Sequence, residues 1–227
     1  MIGPLSVLWE DAHGLAVAKP AGLLTQGPAD GEVTLEAMVR RHLRPDAPAS
    51  AYLGTVHRLD RPVSGVVLWA RTPKAARRWA DQFAAREARK EYWAIVEGDF
   101  GSIGSPGIWE DWLLAPDALG RARVADPGST GAVRAVTRYE VGIGRSAPVG
   151  FVWLKLRPET GRTHQLRAQS AARGLPIVGD GTYGATRSFP VGIALHARSL
   201  AVEHPIRRAP MVVEAPLPDS WPGWLSG

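Results

Sequence analysis

The sequence predicts an α+β protein, a single domain built on a mixed, mainly antiparallel sheet with flanking helices. Short apolar or alternating runs typical of strands are separated by turns rich in Gly and Pro. A few segments instead place apolar residues at helical spacing, and no internal repeat or break in composition marks a domain boundary. Of the 227 residues, 45% are hydrophobic and 22% charged, which is the balance of a globular protein. Disorder and fibrous repeats are therefore excluded, and we expect one domain over residues 1–227.

The first half of the chain is predicted to contain three strands and two helices. The strands are expected over residues 7–9, 15–18 and 66–70, and the helices over 34–43 and 73–89. Both helices are assigned because apolar residues recur every three to four positions, and the first ends before a proline-containing turn. The second helix carries four arginines outside its apolar face, so it is expected to be amphipathic and basic.

The second half is predicted to consist mainly of strands. They are expected over residues 92–96, 133–141, 151–156, 193–202 and 211–214. A third helix is predicted over residues 163–173, closed by Gly174. Residues 101–131 are rich in Gly, Pro and Asp and are expected to form an insertion loop, in which Trp109 and Trp112 would either stack on RNA bases or form a local cluster.

Composition limits the chemistry and favours a polyanionic partner. Cysteine is absent, which excludes disulfides, thiolate nucleophiles and cysteine-based zinc sites. The net charge is +5, and only four of the 27 basic residues are lysine. Arginine matches phosphate and stacks on bases, so nucleic acid is favoured, although a GC-rich genome would also enrich Arg, Ala and Gly. The apolar runs are far shorter than the roughly 20 residues that span a bilayer, so we expect a cytoplasmic protein without a membrane partner.

The most concentrated polar cluster is the nonapeptide HRLDRPVSG at residues 57–65. It precedes the apolar run at 66–70, and turns at strand ends are where functional residues are often displayed. Asp60 has Arg58 and Arg61 close in sequence, and nearby positive charge favours an ionised carboxylate. An ionised Asp suits a nucleophile or a base. The alternative interpretation is an ordinary Asp-stabilised turn with surface ion pairs.

A second cluster, KLRPETGRTHQLRAQ, occupies residues 155–169. Gly161 allows a tight turn after a strand, and the residues that follow open a helix. Thr163 and Arg167 are four positions apart and so share a helix face. Exposed N–H groups and arginines at this point favour an anion, whereas the alternative is a basic helix start with solvated arginines.

Together these motifs resemble the RluA family of RNA pseudouridine synthases. The resemblance rests on HRLDRPVSG, KEYWAIVEG, LRPETGRTHQLRAQSAARGLPIVGDGTYG and IALHARSLAVEHP, preceded by EDAHGLAVAKPAGLL, in this order and spacing. It covers almost the whole chain, and the combination of HRLDxxxSG with a downstream TGRxHQxR is specific. It implies the pseudouridine synthase fold.

The resemblance also implies roles for individual residues. Asp60 corresponds to the catalytic aspartate, Tyr92 to a tyrosine that stacks on the target and serves in proton abstraction, and Arg167 to an arginine paired with the catalytic carboxylate. Arg58 corresponds to the arginine that displaces and replaces the flipped base. The further residues expected to contact the substrate are Arg61, Arg162, His164, Gln165, Ile177 and Val178, the last two packing near the base.

The expected function is isomerisation of specific uridines in rRNA or tRNA, without cofactor or metal, by a monomer. The chain is expected to hold the catalytic domain without the N-terminal RNA-binding domain of some relatives. Val63 and Gln169 depart from the residues that many relatives carry, which bears on substrate choice. A non-catalytic RNA-binding module of the same fold is the alternative, although it would have no use for Asp60, Tyr92 and Arg167 together.

Two other classes of site are disfavoured. A metal set of His57, His164, His196 and His204 lacks HxH or HxxxH spacing. A glycoside hydrolase would need a second carboxylate beside Asp60, from Glu159 or Asp180, and a general acid with a raised pKa. Neighbouring arginines act in the opposite direction.

Overall fold

The structure is a computed structural model that describes residues 3–27, 33–99, 104, 106–142 and 147–223. The chain divides into two compact units. The first unit comprises Met1–Lys90 and Ala197–Pro218, and the second comprises Glu91–His196 and Asp219–Gly227. The prediction of one catalytic domain over residues 1–227 stays a prediction.

Strands and helices alternate early in the chain, and strands dominate later. The elements are β1 (Ser6–Glu10), β2 (Gly14–Lys19), α1 (Leu35–Leu43), β3 (Gly54–Thr55), β4 (Ser64–Ala70), α2 (Pro73–Ala84), β5 (Arg89–Glu97), β6 (Gly107–Leu114), β7 (Arg123–Ala125), β8 (Val133–Val141), β9 (Phe151–Pro158), α3 (Gln165–Ala171), β10 (Leu195–Glu203) and β11 (Pro210–Glu214).

The first unit is built around the buried strand β4. β2 pairs antiparallel with both β1 and β4, β3 also pairs with β4, and β11 pairs with β10. Every residue of β4 is buried, as its continuous apolar run predicts. Trp79 of α2 is fully buried in a core shared with Leu68 and Leu200, and its indole N–H donates to the carbonyl of Glu203 at 3.1 Å. This packing fixes α2 on the sheet of the first unit.

The two helices of the first unit are confirmed, although α2 is shorter than predicted. Thr34 caps α1 and Thr72 caps α2, each hydroxyl accepting a backbone N–H three residues later. α2 ends at Ala84 rather than near residue 89. Arg86 adopts φ +62°, a left-handed conformation that stops the helix, and the N–H of Glu87 returns to the carbonyl of Gln82 at 2.9 Å.

The second unit contains an antiparallel array in the order β5-β9-β8-β6-β7. α3 covers 165–171 rather than the predicted 163–173, because His164 adopts φ +54° and the right-handed helix begins only after it. Gly174 follows the helix with φ +69°, as expected for a C-terminal glycine.

Residues 101–131 are not wholly a loop, which corrects that expectation. They contain β6 and β7, while 101–103 and 105 lie outside the described residues. Along β6 the side chains of Trp109 and Leu113 are buried, whereas Ile108 is exposed. This alternation is that of a half-buried strand, and it was hidden by the Gly, Pro and Asp residues at the ends of the segment.

The predicted fold class, α+β with mainly antiparallel strands and flanking helices, is confirmed. The described pairings between named strands are antiparallel in both units. None of the helices among the described residues is long and apolar enough to cross a membrane.

Candidate functional site

The turn that carries Asp60 precedes β4 in the first unit and is held by hydrogen bonds to its backbone. The Thr25 hydroxyl donates to the carbonyl of Leu59 at 2.7 Å and accepts its N–H at 3.2 Å. On the other side of Asp60, the carbonyl of Arg61 accepts the N–H of Gly22 at 2.8 Å. The residues on either side of Asp60 are thus anchored to one segment, 19–25. Asp60 itself is half-buried, while Arg58 and Arg61 are exposed.

Lys19 is a buried cation beside this turn, and the sequence analysis assigned it no role. Its side chain is 2% exposed, and Nζ donates to the carbonyls of Pro20 at 3.0 Å, Leu23 at 2.6 Å and Arg61 at 3.1 Å. Burial lowers the pKa of Lys19 to about 7, against the opposing negative charge of Asp60. The ammonium therefore joins segment 19–25 to the Asp60 turn and places a positive charge near its carboxylate. The sequence feature that could have indicated this role is a lysine at the end of an otherwise apolar strand.

His57 has a structural role in the first unit. Its Nε2 accepts the N–H of Leu68 at 2.9 Å, and its ring stacks on Phe83 with centroids 5.0 Å apart. Burial lowers the pKa of His57 to about 3, with a smaller contribution from Lys90. The imidazole is consequently neutral near pH 7 and fastens the turn to β4 and α2.

Gly65 explains why the motif ends in glycine. Its φ is +122°, and a Cβ at this position would lie 2.3 Å from the carbonyl oxygen of Ala197. No side chain fits between these two backbones. The glycine therefore allows β4 to approach β10 closely within the first unit.

Arg167 is the centre of a buried charged group in the second unit. Its side chain is 6% exposed, and it forms two hydrogen bonds with Asp180, Nε to Oδ2 at 2.6 Å and Nη2 to Oδ1 at 2.9 Å. The guanidinium carbon lies 4.8 Å from the centroid of the Tyr183 ring. Asp180 and Tyr183, both within the quoted motif but given no such role, thus orient Arg167 in this bidentate geometry. The pairing of Arg167 with Asp60 stays a prediction.

Tyr183 also connects His164 to this group. Its hydroxyl accepts the N–H of Ala122 at 2.8 Å and lies 3.0 Å from Nδ1 of His164. Since the oxygen already accepts from Ala122, its proton is available to His164. The left-handed backbone of His164 aims its ring at Tyr183 instead of continuing the helix.

Gln165, predicted to contact substrate, is buried, and both its amide oxygen and its amide nitrogen form hydrogen bonds within the protein. Its Oε1 accepts from Thr160 Oγ1 at 2.7 Å and from the Arg162 N–H at 3.0 Å. Its Nε2 donates to the Val136 carbonyl at 3.0 Å and to Thr137 Oγ1 at 2.9 Å. A glutamine amide offers two donors and two acceptor positions. In this structure Gln165 therefore positions the turn before α3, and its contact with substrate stays a prediction.

Gln169 extends this network. It accepts from Thr137 Oγ1 at 2.7 Å and donates to Asp111 Oδ2 at 2.7 Å. Asp111 in turn binds Arg173, whose guanidinium lies 5.1 Å from the Trp109 ring. Trp109 is 2% exposed, so this indole belongs to a local cluster and is not a platform for RNA bases.

The remaining predicted site residues lie in varied surroundings. Arg162 is exposed and its Nε donates to the carbonyl of Arg134 at 3.1 Å. Tyr92 is half-buried on β5, where it pairs with Leu156. Ile177 and Val178 are buried within the second unit, and their packing against a base stays a prediction.

Residues 13–172 match the family described as RNA pseudouridylate synthase. An uncharacterized RNA pseudouridine synthase of Zymomonas mobilis is 37% identical over 95% of this chain and 94% of the relative. The ribosomal large subunit pseudouridine synthase D of Xanthomonas campestris is 35% identical over 95% of this chain and 67% of its own length. The tRNA pseudouridine synthase C of Salmonella typhi is 32% identical over 96% and 87%, respectively.

A solved structure also matches the fold. Human RNA Pseudouridylate Synthase Domain Containing 1 superimposes with a TM-score of 0.74 and 28% sequence identity, over 96% of this chain and 85% of the human chain. The similarity therefore covers both units.

Proposed function

This chain belongs to the RNA pseudouridylate synthase family, and we propose that it isomerises specific uridines in ribosomal or transfer RNA to pseudouridine, with Asp60 as the catalytic carboxylate. The observation that carries the proposal is the family match over residues 13–172, which includes both HRLDRPVSG and TGRTHQLR. The names of relatives supply the two RNA classes, large-subunit rRNA and tRNA.

The reaction is a rearrangement within one nucleotide. The bond between C1′ and N1 of uridine breaks, a bond between C1′ and C5 forms, and the proton lost from C5 is balanced by one gained at N1. We propose that the Asp60 carboxylate acts at the ribose and that Tyr92 stacks on the uracil and serves in removal of the C5 proton.

The surroundings of Asp60 support its role. Hydrogen bonds to the backbone of Leu59 and Arg61 fix the turn on both sides of Asp60. Lys19, buried beside the turn, donates to the Arg61 carbonyl at 3.1 Å and, when protonated, places a positive charge near the carboxylate. The enzyme would thus present a half-buried carboxylate on a rigid turn, which is the preorganisation that catalysis requires.

The target uridine has to leave its stack to reach such an acid. Extrusion of a base costs a few kcal/mol, which stacking and an inserted side chain offset. Arg58 is exposed two positions before Asp60, and we propose that it takes the place of the flipped base. The exposed Arg61 and Arg162 are proposed to bind the RNA backbone.

Arg167 is proposed as a catalytic residue whose orientation is set by its partners. Asp180 holds the guanidinium through two hydrogen bonds and Tyr183 lies against it. A guanidinium fixed in this way cannot rotate freely in response to substrate. Asp180, Tyr183 and His164 would then be positioning residues in the second unit.

The test is to map pseudouridines in total RNA from cells with and without this protein. We expect one or a few uridines of rRNA or tRNA to lose the modification in the deletion strain and to regain it when the purified protein is added to that RNA. Identical maps in the two strains, together with no pseudouridine formed in vitro, would refute the proposal.

A further inference from the structure

Two exposed arginines occupy the corner between α2 and β5, which we call the basic corner and define as residues 84–90. Arg86 and Arg89 are exposed, and neither has an ion-pair partner among the described residues. Many other arginines do have one. Those bound to a carboxylate include Arg40, Arg71, Arg134, Arg138, Arg157, Arg173, Arg207 and Arg208. The guanidinium groups of the basic corner are therefore available to an external anion.

The basic corner lies next to the turn that carries Asp60, within the first unit. α2 returns along β4, so that Phe83 near its end stacks on His57 at 5.0 Å with the rings 22° apart. His57 directly precedes Arg58, which is exposed and has no ion-pair partner in the described part of the chain. Lys90 is close enough for its charge to lower the pKa of His57.

Arg86 has an unfavourable backbone conformation. Its φ of +62° is in the left-handed region, where Gly or Asn is the usual residue at the end of a helix. A long side chain at such a position costs stability, and strained residues that persist are more common at functional sites. Among the described residues, no hydrogen bond or ion pair of the Arg86 side chain offsets this strain.

We propose that Arg86 and Arg89 form a docking surface for the RNA phosphate backbone next to the target uridine, beside the turn that carries Arg58. The surface rests on the function proposed above and extends it by naming the groups that receive the flanking phosphates. Arginine binds phosphate through paired donors, and two such groups outweigh Glu87, the acidic residue of the basic corner. The docked strand would be held at a fixed distance from the turn through the Phe83–His57 stack.

The first experiment measures the affinity of the Arg86→Ala/Arg89→Ala double variant for a fluorescein-labelled, unmodified tRNA transcript at several salt concentrations. We expect about a tenfold weaker Kd, as expected for two exposed ionic contacts. The slope of log K against log salt should fall by about 1.4 to 1.8, as for two lost phosphate contacts. The Arg86→Lys/Arg89→Lys variant keeps both charges and should recover most of the slope.

A matched control is Arg41→Ala/Arg44→Ala. These arginines are also exposed and without an ion-pair partner among the described residues. They lie near the other end of β4, because His42 contacts Glu10, which also binds Arg71 directly after that strand. The seven-residue strand separates the two places by about 20 Å. If this control weakened binding and lowered the slope as much as the basic corner variant, affinity would depend on net charge alone and the proposal would fail.

Arg86→Gly provides a second test, which distinguishes RNA binding by Arg86 from a purely structural role. Glycine relieves the left-handed strain, so the melting temperature should equal or exceed that of the wild type while RNA affinity falls. A lower melting temperature with unchanged affinity would overturn the proposal. Pseudouridine formation by the wild-type protein is measured in parallel. If the wild type forms no pseudouridine, the proposed function fails. If it forms pseudouridine but the variants bind RNA as tightly as the wild type, only the docking surface fails.

Discussion

The Asp60 turn and the segment around Arg167 are both dense in polar motif residues, but they are held in different ways. The turn is anchored through its own backbone groups, which bind the Thr25 hydroxyl, the Lys19 ammonium and the Gly22 N–H. Asp60 is half-buried there and Arg58 is exposed. Around Arg167 the polar side chains bind one another, and Arg167, Asp180 and Gln165 are all buried. This contrast indicates that motif residues in the turn are accessible to a substrate, whereas motif residues beside α3 more often hold the surrounding structure in place.

The strongest test of this comparison is Asp60→Asn. The substitution keeps the shape of the side chain but removes the carboxylate, so pseudouridine formation should fall by more than about a hundredfold. We expect the protein to stay folded, because hydrogen bonds to the backbone of Leu59 and Arg61 hold the turn on both sides of residue 60. Single-turnover assays and thermal melting measure the two quantities. Residual turnover above about a hundredth of wild type would contradict the catalytic assignment.

Asp180→Asn should have the opposite profile, with a large effect on stability. It removes the negative charge of the carboxylate that binds the buried Arg167 guanidinium through two hydrogen bonds. Breaking a buried pair in this way typically costs about 3–5 kcal/mol in the free energy of unfolding. Urea denaturation measures this cost. Glu110→Gln is the control, since Glu110 also binds an arginine at 2.7 Å but both side chains are about half exposed, and its cost should be much smaller than that of Asp180→Asn. Equal losses would mean that burial does not distinguish the two pairs.

Lys19 is the buried charge of the turn region, and it predicts a pH dependence. Its pKa is about 7 in the folded protein against an ordinary lysine value of 10.5, so between these values the unfolded chain binds more protons. Stability therefore rises with pH through this window, by up to about 1.4 kcal/mol per pH unit from this group, and the contribution is flat below pH 7. The difference in unfolding free energy between wild type and Lys19→Met, measured from pH 6 to 10, should show this slope. A difference that stayed constant over the range would contradict the burial of a titrating amine.

The smallest effect is expected for Arg162→Ala. Arg162 is exposed and donates to one carbonyl, so unfolding free energy should stay within about 0.5 kcal/mol of wild type. If Arg162 binds the RNA backbone, the salt slope of RNA binding should decrease by about 0.7 to 0.9. A loss of stability without a change in the salt slope of RNA binding would mean that Arg162 stabilises the fold and does not bind RNA.

Most of the fold could be predicted from the sequence because local patterns determine it. The apolar run of β4 and the helical spacing of α1 are properties of neighbouring residues. The early end of α2 was missed because a left-handed arginine is unusual. β6 was missed because its alternation lies within a segment of turn-forming composition.

The candidate site was predictable in its motifs but not in its supporting contacts. Lys19 and Arg61 are 42 positions apart, and Arg167 and Asp180 are 13 apart. Spacing alone does not reveal which donor meets which acceptor over such separations. For the same reason the sequence did not reveal that Gln165 donates to the carbonyl of Val136, which is 29 positions away.

Because Lys19 is buried, its chemical modification can measure how often the contact between segment 19–25 and the Asp60 turn opens. Its amine is enclosed by three carbonyls and shielded from reagents, so an amine-specific acylating reagent can modify it only when segment 19–25 separates from the Asp60 turn. The rate of modification then gives the free energy of this local opening, which lies between zero and the free energy of global unfolding. The exposed Lys74 reacts without opening and gives the reference rate within the same molecule.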